Sequence, residues 1–192
     1  MMIKTRFAPS PTGWLHIGGV RTALYSWLYA KKNNGKFYLR IDDTDTTRST
    51  DEYKNSIISA LTQLGLKHDD EITYQSNRFD HYIDKIEELL NKDMAYYDKV
   101  EMNEKTKETD LSVQYENRLN KEGYVIRFKN QKESSITISD SVHGEITFDP
   151  KVFFDVVILR SNGVPTYNLT SVVDDIDLGI THLIRGDDHL SN

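Results

Sequence analysis

The feature that most constrains this chain is the segment from Arg6 to Gly19, which reads Arg-Phe-Ala-Pro-Ser-Pro-Thr-Gly-Trp-Leu-His-Ile-Gly-Gly. A strand predicted over 3–7 leads into a turn with two prolines and a glycine, and Gly18 stands beside Gly19 where a helix is expected to start. Glycines let a ligand approach the backbone closely, and unpaired N–H groups at a helix start favour an anion. His16 adds a side-chain donor. The segment predicts a phosphate-binding turn, although a Gly-Gly pair or a single histidine is by itself more often structural.

Strands and helices alternate over the first part of the chain. Apolar residues at helical spacing predict two helices, with Val20, Leu24, Trp27 and Leu28 in the first and Ile57, Ile58, Leu61 and Leu64 in the second. Asn33-Asn34-Gly35 is expected to end the first helix, and a strand is predicted over 37–41. Ser49 and Glu52 form a capping box for the second helix, which Gly65 is expected to end. This alternation indicates a parallel sheet.

Ligands of a parallel sheet bind beyond the carboxyl ends of its strands, where the His16 turn and the acidic loop 42–48 are both expected to lie. The pattern changes after 76 into a predicted helix, a charge-rich segment and several short strands. These elements are predicted over 77–94, 98–121, 124–129, 135–138, 145–148 and 152–159. We interpret 77–164 as an α+β insertion that interrupts a Rossmann-like α/β nucleotide-binding fold. Its two halves would be 1–76 and 165–192, with a helix at 166–175 and a strand at 181–184 in the second half.

Composition excludes several classes of protein. The chain has no cysteine, so it has neither a disulfide nor a thiolate metal site, and its histidines lack metal-ligand spacing. The net charge of −6 argues against binding nucleic acid over the whole surface, although a local basic face is compatible with it. No apolar signal core and no apolar run of membrane length are present. The expectation is a cytoplasmic protein without a membrane segment.

The segment from Arg6 to Gly19, followed by Arg-Thr-Ala-Leu, resembles the first motif of class I aminoacyl-tRNA synthetases in the form found in glutamyl-tRNA synthetases. Gly19 replaces the final His of the class pattern, as it does in the glutamyl branch. A second block, in which Pro-Thr-Tyr-Asn starts at Pro165 and Ile-Arg-Gly-Asp-Asp-His starts at Ile184, resembles a later region of the same family. Asp42 and Asp187 stand where that family usually has Glu.

The resemblance implies a glutamate–tRNA ligase, an enzyme of protein biosynthesis that activates glutamate with ATP to glutamyl-adenylate and transfers it to the 3′ end of tRNA(Glu). The implied partners are glutamate, tRNA(Glu) and ATP with Mg²⁺, without zinc and without a membrane, in a monomer. The insertion at 77–164 would receive the acceptor end of the tRNA.

The resemblance also implies roles for individual residues. His16, Gly18 and Gly19 would be catalytic and would hold ATP, with Asp188 as a further ATP contact. The residues that match glutamate-binding positions of the family are Arg6, Ala8, Ser10, Asp42, Tyr167, Ser171 and Arg185. Among these, the guanidinium groups of Arg6 and Arg185 would bind carboxylate, and Asp42 would accept from the α-ammonium group.

Other functions are also compatible with the sequence. The family continues into a Lys-Met-Ser-Lys-Ser-type loop and an anticodon-binding part that this sequence lacks, so we expect an incomplete fragment with little or no activity by itself. One alternative is a paralog similar to glutamyl-queuosine tRNA(Asp) synthetase, although such paralogs usually break the His-Ile-Gly-Gly-x-Arg-Thr run that is intact here. Another is a non-catalytic fragment that binds ATP or tRNA. A glutaminyl enzyme fits less well because it keeps the final His of the motif.

Overall fold

A computed structural model describes residues 1–45, 47–100, 114–130 and 135–186, apart from the side chain of Val152. The chain divides into two compact units, which are described separately below. The first contains Met1–Tyr82 and the segment that begins at Tyr167, and the second contains Ile83–Thr166. No helix within the described ranges has the length and apolar character needed to cross a membrane.

The first unit is built on a parallel sheet with strand order β1-β2-β3. Its elements in chain order are β1 (Lys4–Phe7), α1 (Ile17–Lys32), β2 (Lys36–Ile41), α2 (Asp51–Gln63), β3 (Thr73–Tyr74), a 3₁₀ turn (Gln75–Arg78), the start of α3 (Phe79–Asn91) and α4 (Tyr167–Leu178). In this register Lys4 lies opposite Lys36, and Arg40 lies opposite Thr73. The parallel sheet connected by helices confirms the α/β prediction for this part of the chain.

The two faces of β2 have different surroundings. Phe37, Leu39 and Ile41 are almost completely buried and pack in one core with residues of α1 and α2. Because strand side chains alternate, Arg40 points to the opposite face, where its guanidinium contacts the backbone and side chains of α4. A single strand therefore supports an apolar core on one side and a buried cation on the other.

Both ends of α2 differ in detail from the sequence prediction. Helix α2 is capped by Thr50, whose extended backbone (φ −116°, ψ 151°) lets its hydroxyl accept from the N–H of Tyr53. The predicted cap, Ser49, is wrong by one residue. Leu64 lies beyond the last turn and is 54% exposed, so it does not join the core face predicted for it.

The predicted strand at 181–184 is not formed. The backbone N–H groups of Thr181 and His182 both donate to the carbonyl of Lys4, at 2.9 and 3.2 Å. Both bonds converge on one carbonyl, which fastens the segment beside β1 without the repeated pairing that defines a strand.

The second unit combines a three-stranded antiparallel sheet with a separate hairpin. Its elements are the rest of α3, β4 (Ala95–Lys99), β5 (Tyr124–Phe128), β6 (Ile136–Asp140), β7 (Gly144–Phe148), a 3₁₀ turn (Pro150–Val152) and β8 (Val157–Leu159). The sheet has the order β4-β5-β8, and β6 pairs with β7. Strand β4 was not predicted. The helix predicted over 77–94 ends earlier, at Asn91, and Asp93 then turns the chain with a φ of 54°, after which the strand begins. The predicted strand 152–159 is shortened to β8, and most of the charge-rich segment 98–121 lies outside the described residues.

The connection between α1 and β2 gives a direct test of this packing. A Cβ added to Gly35 would lie 2.2 Å from the carbonyl oxygen of Ile3, the same oxygen that accepts from the N–H of Lys36. We expect Gly35→Ala to lower the free energy of unfolding by about 1–3 kcal/mol, since the backbone must move away from β1. Gly13→Ala is the matched control, because a Cβ there meets nothing within 4 Å. Equal urea midpoints for the two variants would contradict the expected clash.

Candidate active site

A cavity of about 190 Å³ lies in the first unit at the carboxyl end of β1. Its lining residues come from the end of β1, from α1, from the start of α4 and from the segment after α4, and they are Arg6, Phe7, Ala8, Thr22, Tyr167, Ile184, Arg185 and Gly186. Four predicted glutamate-binding residues therefore line one cavity, namely Arg6, Ala8, Tyr167 and Arg185. Two guanidinium groups and a phenol at one cavity wall can bind a small anion such as a carboxylate.

Arg6 is held in a fixed direction at this cavity. Its Nε and Nη2 donate to the two carboxylate oxygens of Asp175, each at 3.0 Å. The side chains of Arg6 and Asp175 are 11% and 19% exposed, so water screens this pair only weakly. Such a two-point pair fixes the plane of the guanidinium as well as its position.

Arg40 lies behind Arg6 and is completely buried. Its Nε and Nη2 donate to Asp42 at 2.6 and 3.0 Å, and its Nη1 donates to Asp175 at 2.9 Å and to the carbonyl of Ser171 at 3.2 Å. Burial alone lowers the pKa of Arg40, but its bonds to Asp42 and the nearby charges of Asp175 and Asp174 together outweigh this and raise it. Arg40 was not among the predicted site residues. Its position as a charged residue inside the apolar run 37–41 was the signal that could have identified it.

Asp174, next to Asp175 on α4, is a second buried anchor. Its carboxylate is fully buried and accepts from Gln75 at 2.8 Å, from Arg78 at 2.9 Å and from the hydroxyl of Tyr82 at 2.9 Å. Burial raises the pKa of Tyr82, and the nearby Asp174 carboxylate raises it further, so this hydroxyl stays a donor. Adjacent aspartates thus attach α4 to two different parts of the first unit.

The acidic loop after β2 is held by internal bonds. Asp43 is buried and accepts from the backbone N–H and the hydroxyl of Ser76 at 2.8 and 2.7 Å, and it pairs with Lys54 at 2.8 Å. Asp42 is also buried, with both carboxylate oxygens bound by Arg40. Asp42 is not among the residues that line the cavity, so its contact with an ammonium group stays a prediction.

His16 caps helix α1. Its Nδ1 accepts from the N–H of Gly18 at 3.1 Å, while its carbonyl accepts the first helical bond, from Val20, also at 3.1 Å. Because Nδ1 is an acceptor here, the proton of the neutral ring lies on Nε2 of the exposed side chain. The N–H of Gly18 was expected to be unpaired, and instead it binds the imidazole.

Both glycines of this turn are also close to other side chains. A Cβ on Gly18 would lie 2.9 Å from the ring of His16, and one on Gly19 would lie 2.7 Å from the side chain of Leu15. The two glycines therefore let the imidazole fold back over the helix start and let Leu15 approach α1. Their proposed roles toward ATP stay predictions.

The remaining predicted residues are more dispersed. Ser10 is exposed and lies outside the cavity lining. The hydroxyl of Ser171 donates to the carbonyl of Tyr167 at 2.7 Å within α4. Asp188, the predicted ATP contact, lies outside the described residues, as does Asp187.

The buried carboxyl of Asp42 leads to a prediction about pH. Burial raises its pKa to about 6, although Arg40 and Arg6 act in the opposite direction. The folded chain therefore binds this proton more tightly than the unfolded chain, where the pKa of an Asp is about 3.9. The contribution of Asp42 to stability is complete below that lower value and is lost as the pH rises through about 6.

The measurements are a ¹³C NMR titration of the Asp42 carboxyl carbon and urea unfolding of the wild type and Asp42→Asn at pH 5 and pH 7. We expect the difference in the free energy of unfolding to shift in favour of the wild type at pH 5. A carboxyl that titrates below about pH 4 would show that pairing with Arg40 outweighs burial.

The chain is similar to known proteins along its whole length. The family described as tRNA synthetases class I (E and Q), catalytic domain, matches residues 2–192. The chain is 49% identical over 205 residues to a glutamate–tRNA ligase of Francisella tularensis subsp. novicida, covering 100% of this chain and 44% of that protein. It is 47% identical over 205 residues to glutamate–tRNA ligase 1 of Nitrosococcus oceani, with the same two shares.

The chain is also similar to solved structures. The crystal structure of a glutamate tRNA ligase from Elizabethkingia meningosepticum in complex with its amino acid has a TM-score of 0.82 and 34% identity, covering 100% of this chain and 45% of that one. The chain thus spans less than half the length of the relatives it matches. These matches confirm the predicted family and the Rossmann-like α/β fold. The chain belongs to the class I tRNA synthetases for glutamate and glutamine, and it matches the catalytic domain of that family.

Proposed function

We propose that this chain is the catalytic portion of a glutamate–tRNA ligase, which activates glutamate with ATP and transfers it to the 3′ end of tRNA(Glu). The observation that carries the proposal is the cavity in which Arg6, Ala8, Tyr167 and Arg185 meet at the end of β1. Relatives named glutamate–tRNA ligase at 49% and 47% identity support glutamate over other amino acids.

The reaction needs little proton chemistry in its first step. A carboxylate oxygen of glutamate attacks the α-phosphorus of ATP, the bond to the bridging oxygen breaks, and pyrophosphate leaves. A ribose hydroxyl of the tRNA terminus then attacks the carbonyl carbon of the adenylate, and AMP leaves. Both steps depend on positioning and on charge stabilisation. Arg6 and Arg185 bind carboxylate, and His16, with Nε2–H as the donor, holds phosphate near the start of α1.

We propose that Mg²⁺ enters with ATP and neutralises part of the phosphate charge. The parts of the chain would divide the work. Residues 1–76 and 165–192 form the two halves of the catalytic fold, and 77–164 receives the acceptor end of the tRNA. The compact unit Ile83–Thr166 supports a separate insertion. We further propose that the protein works in the cytoplasm as a monomer.

A binding assay tests the amino-acid pocket without requiring the complete reaction. We expect a non-hydrolysable glutamyl-adenylate analogue to bind at least tenfold more tightly than the seryl analogue in calorimetry, since only the former carries a free side-chain carboxylate. Equal affinity for the two analogues, or no binding of either, would overturn the proposed specificity.

Replacement of a cavity arginine gives a sharper expectation. Arg6→Lys should weaken binding of the glutamyl analogue about 10–100-fold, because an ammonium group cannot reproduce a two-point guanidinium contact. Arg118→Lys is the matched control. Its guanidinium pairs with Asp84 and Glu87 on the exposed face of the second unit, so binding should stay within about twofold. A similar loss in both variants would argue against a specific role for Arg6.

The transfer step distinguishes the ligase from the paralog that modifies tRNA(Asp). Pyrophosphate exchange and aminoacylation are measured with tRNA(Glu) and with tRNA(Asp). In a full-length relative both should respond to tRNA(Glu), and in this chain by itself both should be weak or absent. Glutamate incorporated only into modified tRNA(Asp) would favour the paralog.

A further inference from the structure

The guanidinium of Arg6 is directed by a carboxylate that is itself held from behind. Asp175 Oδ1 accepts from Arg6 Nε at 3.0 Å and from Arg40 Nη1 at 2.9 Å. Its second oxygen, Oδ2, accepts from Arg6 Nη2 at 3.0 Å. Asp175 therefore joins two cations, one at the cavity and one in the interior.

Arg40 has no freedom to follow a change at Asp175. It is completely buried, and each of its three guanidinium nitrogens donates to an oxygen of Asp42, Asp175 or Ser171. Asp42 directly follows β2, and Ser171 and Asp175 belong to α4. The cation therefore occupies one position fixed by two elements.

These contacts form a row of alternating charges, Asp42–Arg40–Asp175–Arg6, which we call the charge row. The row begins at Asp42, the first residue of the acidic loop, and ends at Arg6 in the cavity wall. Among the described residues, Arg6 hydrogen-bonds to Asp175 through Nε and Nη2, and Arg6 lines the cavity, so its Nη1 can meet a ligand there. A guanidinium whose inner edge is fixed in this way presents its outer edge without a search over rotamers.

We propose that Asp175 is a positioning residue that aims Arg6 at the carboxylate of the ligand. This inference rests on the proposed binding of glutamate in the cavity. Arg40 holds Asp175 from behind and is itself held by Asp42, whose two oxygens it binds and whose side chain is only 4% exposed.

The substitution Asp175→Asn tests this inference directly. The amide keeps the shape but loses the charge and one acceptor, so we expect at least tenfold weaker analogue binding with an unchanged circular dichroism spectrum. Asp177→Asn is the control on the same helix, because Asp177 pairs with Arg78 and His81 outside the charge row, and binding should stay within twofold. Unchanged binding in Asp175→Asn would overturn the inference.

A measurement on the wild type keeps the test valid if a variant fails to fold. In ¹⁵N NMR of the ligand-free chain, the Nε–H groups of Arg6 and Arg40 should both be rigid and slow to exchange. A mobile Arg6 Nε before ligand is added would contradict positioning by Asp175. Absence of analogue binding by the wild type would instead refute the proposed function, so the two failures are distinguishable.

Discussion

The first unit depends on the burial of one cation. Arg40 is completely removed from water, and an unpaired guanidinium in such a place would cost several kcal/mol. Asp42 is close by in sequence, but Ser171 and Asp175 are 131 and 135 residues away from Arg40. Satisfying this cation therefore requires α4 to lie against β2. The charge pairing fixes where the late segment of the chain meets the early one, which apolar packing alone would specify less tightly.

The position of α4 in turn determines the cavity. Tyr167 begins this helix, and the segment that carries Arg185 follows it, so both cavity residues move with the helix. Asp174 fastens the helix to the 3₁₀ turn and α3, and Asp175 fastens it to β1 and β2. Both aspartates also pair with Arg40, Asp175 at 2.9 Å and Asp174 at 3.6 Å, so together with their separate partners they restrict both the rotation and the translation of the helix. A cavity built in this way is organised before any ligand arrives.

In the turn before α1, the side chain of His16 has a structural task, and the proposed function gives it a chemical one as well. The Nδ1 of His16 satisfies a donor of the helix start, which leaves the opposite ring nitrogen directed away from the backbone. The small size of Gly18 permits this geometry, since a Cβ would collide with the ring. His16 can therefore cap the helix and still make the proposed contact with phosphate, because the two tasks use different atoms of the imidazole.

The sequence determined by itself the features that depend on neighbours along the chain. Apolar spacing predicted α1, β2 and α2, Asn34 ended α1 with a φ of 51°, and the motif residues predicted the family that the comparisons confirmed. The cap at Thr50 was missed by one residue, because adjacent hydroxyls look alike in sequence and only the backbone angles choose between them. The family resemblance predicted which residues would serve the site, and their assembly was left to the fold.

Only the tertiary structure decided which charges are buried and which partners they have. Nothing near Arg40 in the sequence predicts the carboxylate of Asp175, and nothing near Asp174 predicts Gln75, Arg78 and Tyr82 as its donors. Strand β4 likewise forms because β5, far along the chain, offers it a partner. Local patterns report the preferences of a segment for helix, strand or turn. The free energy of a buried charge depends on groups brought together from distant segments, and only folding supplies them.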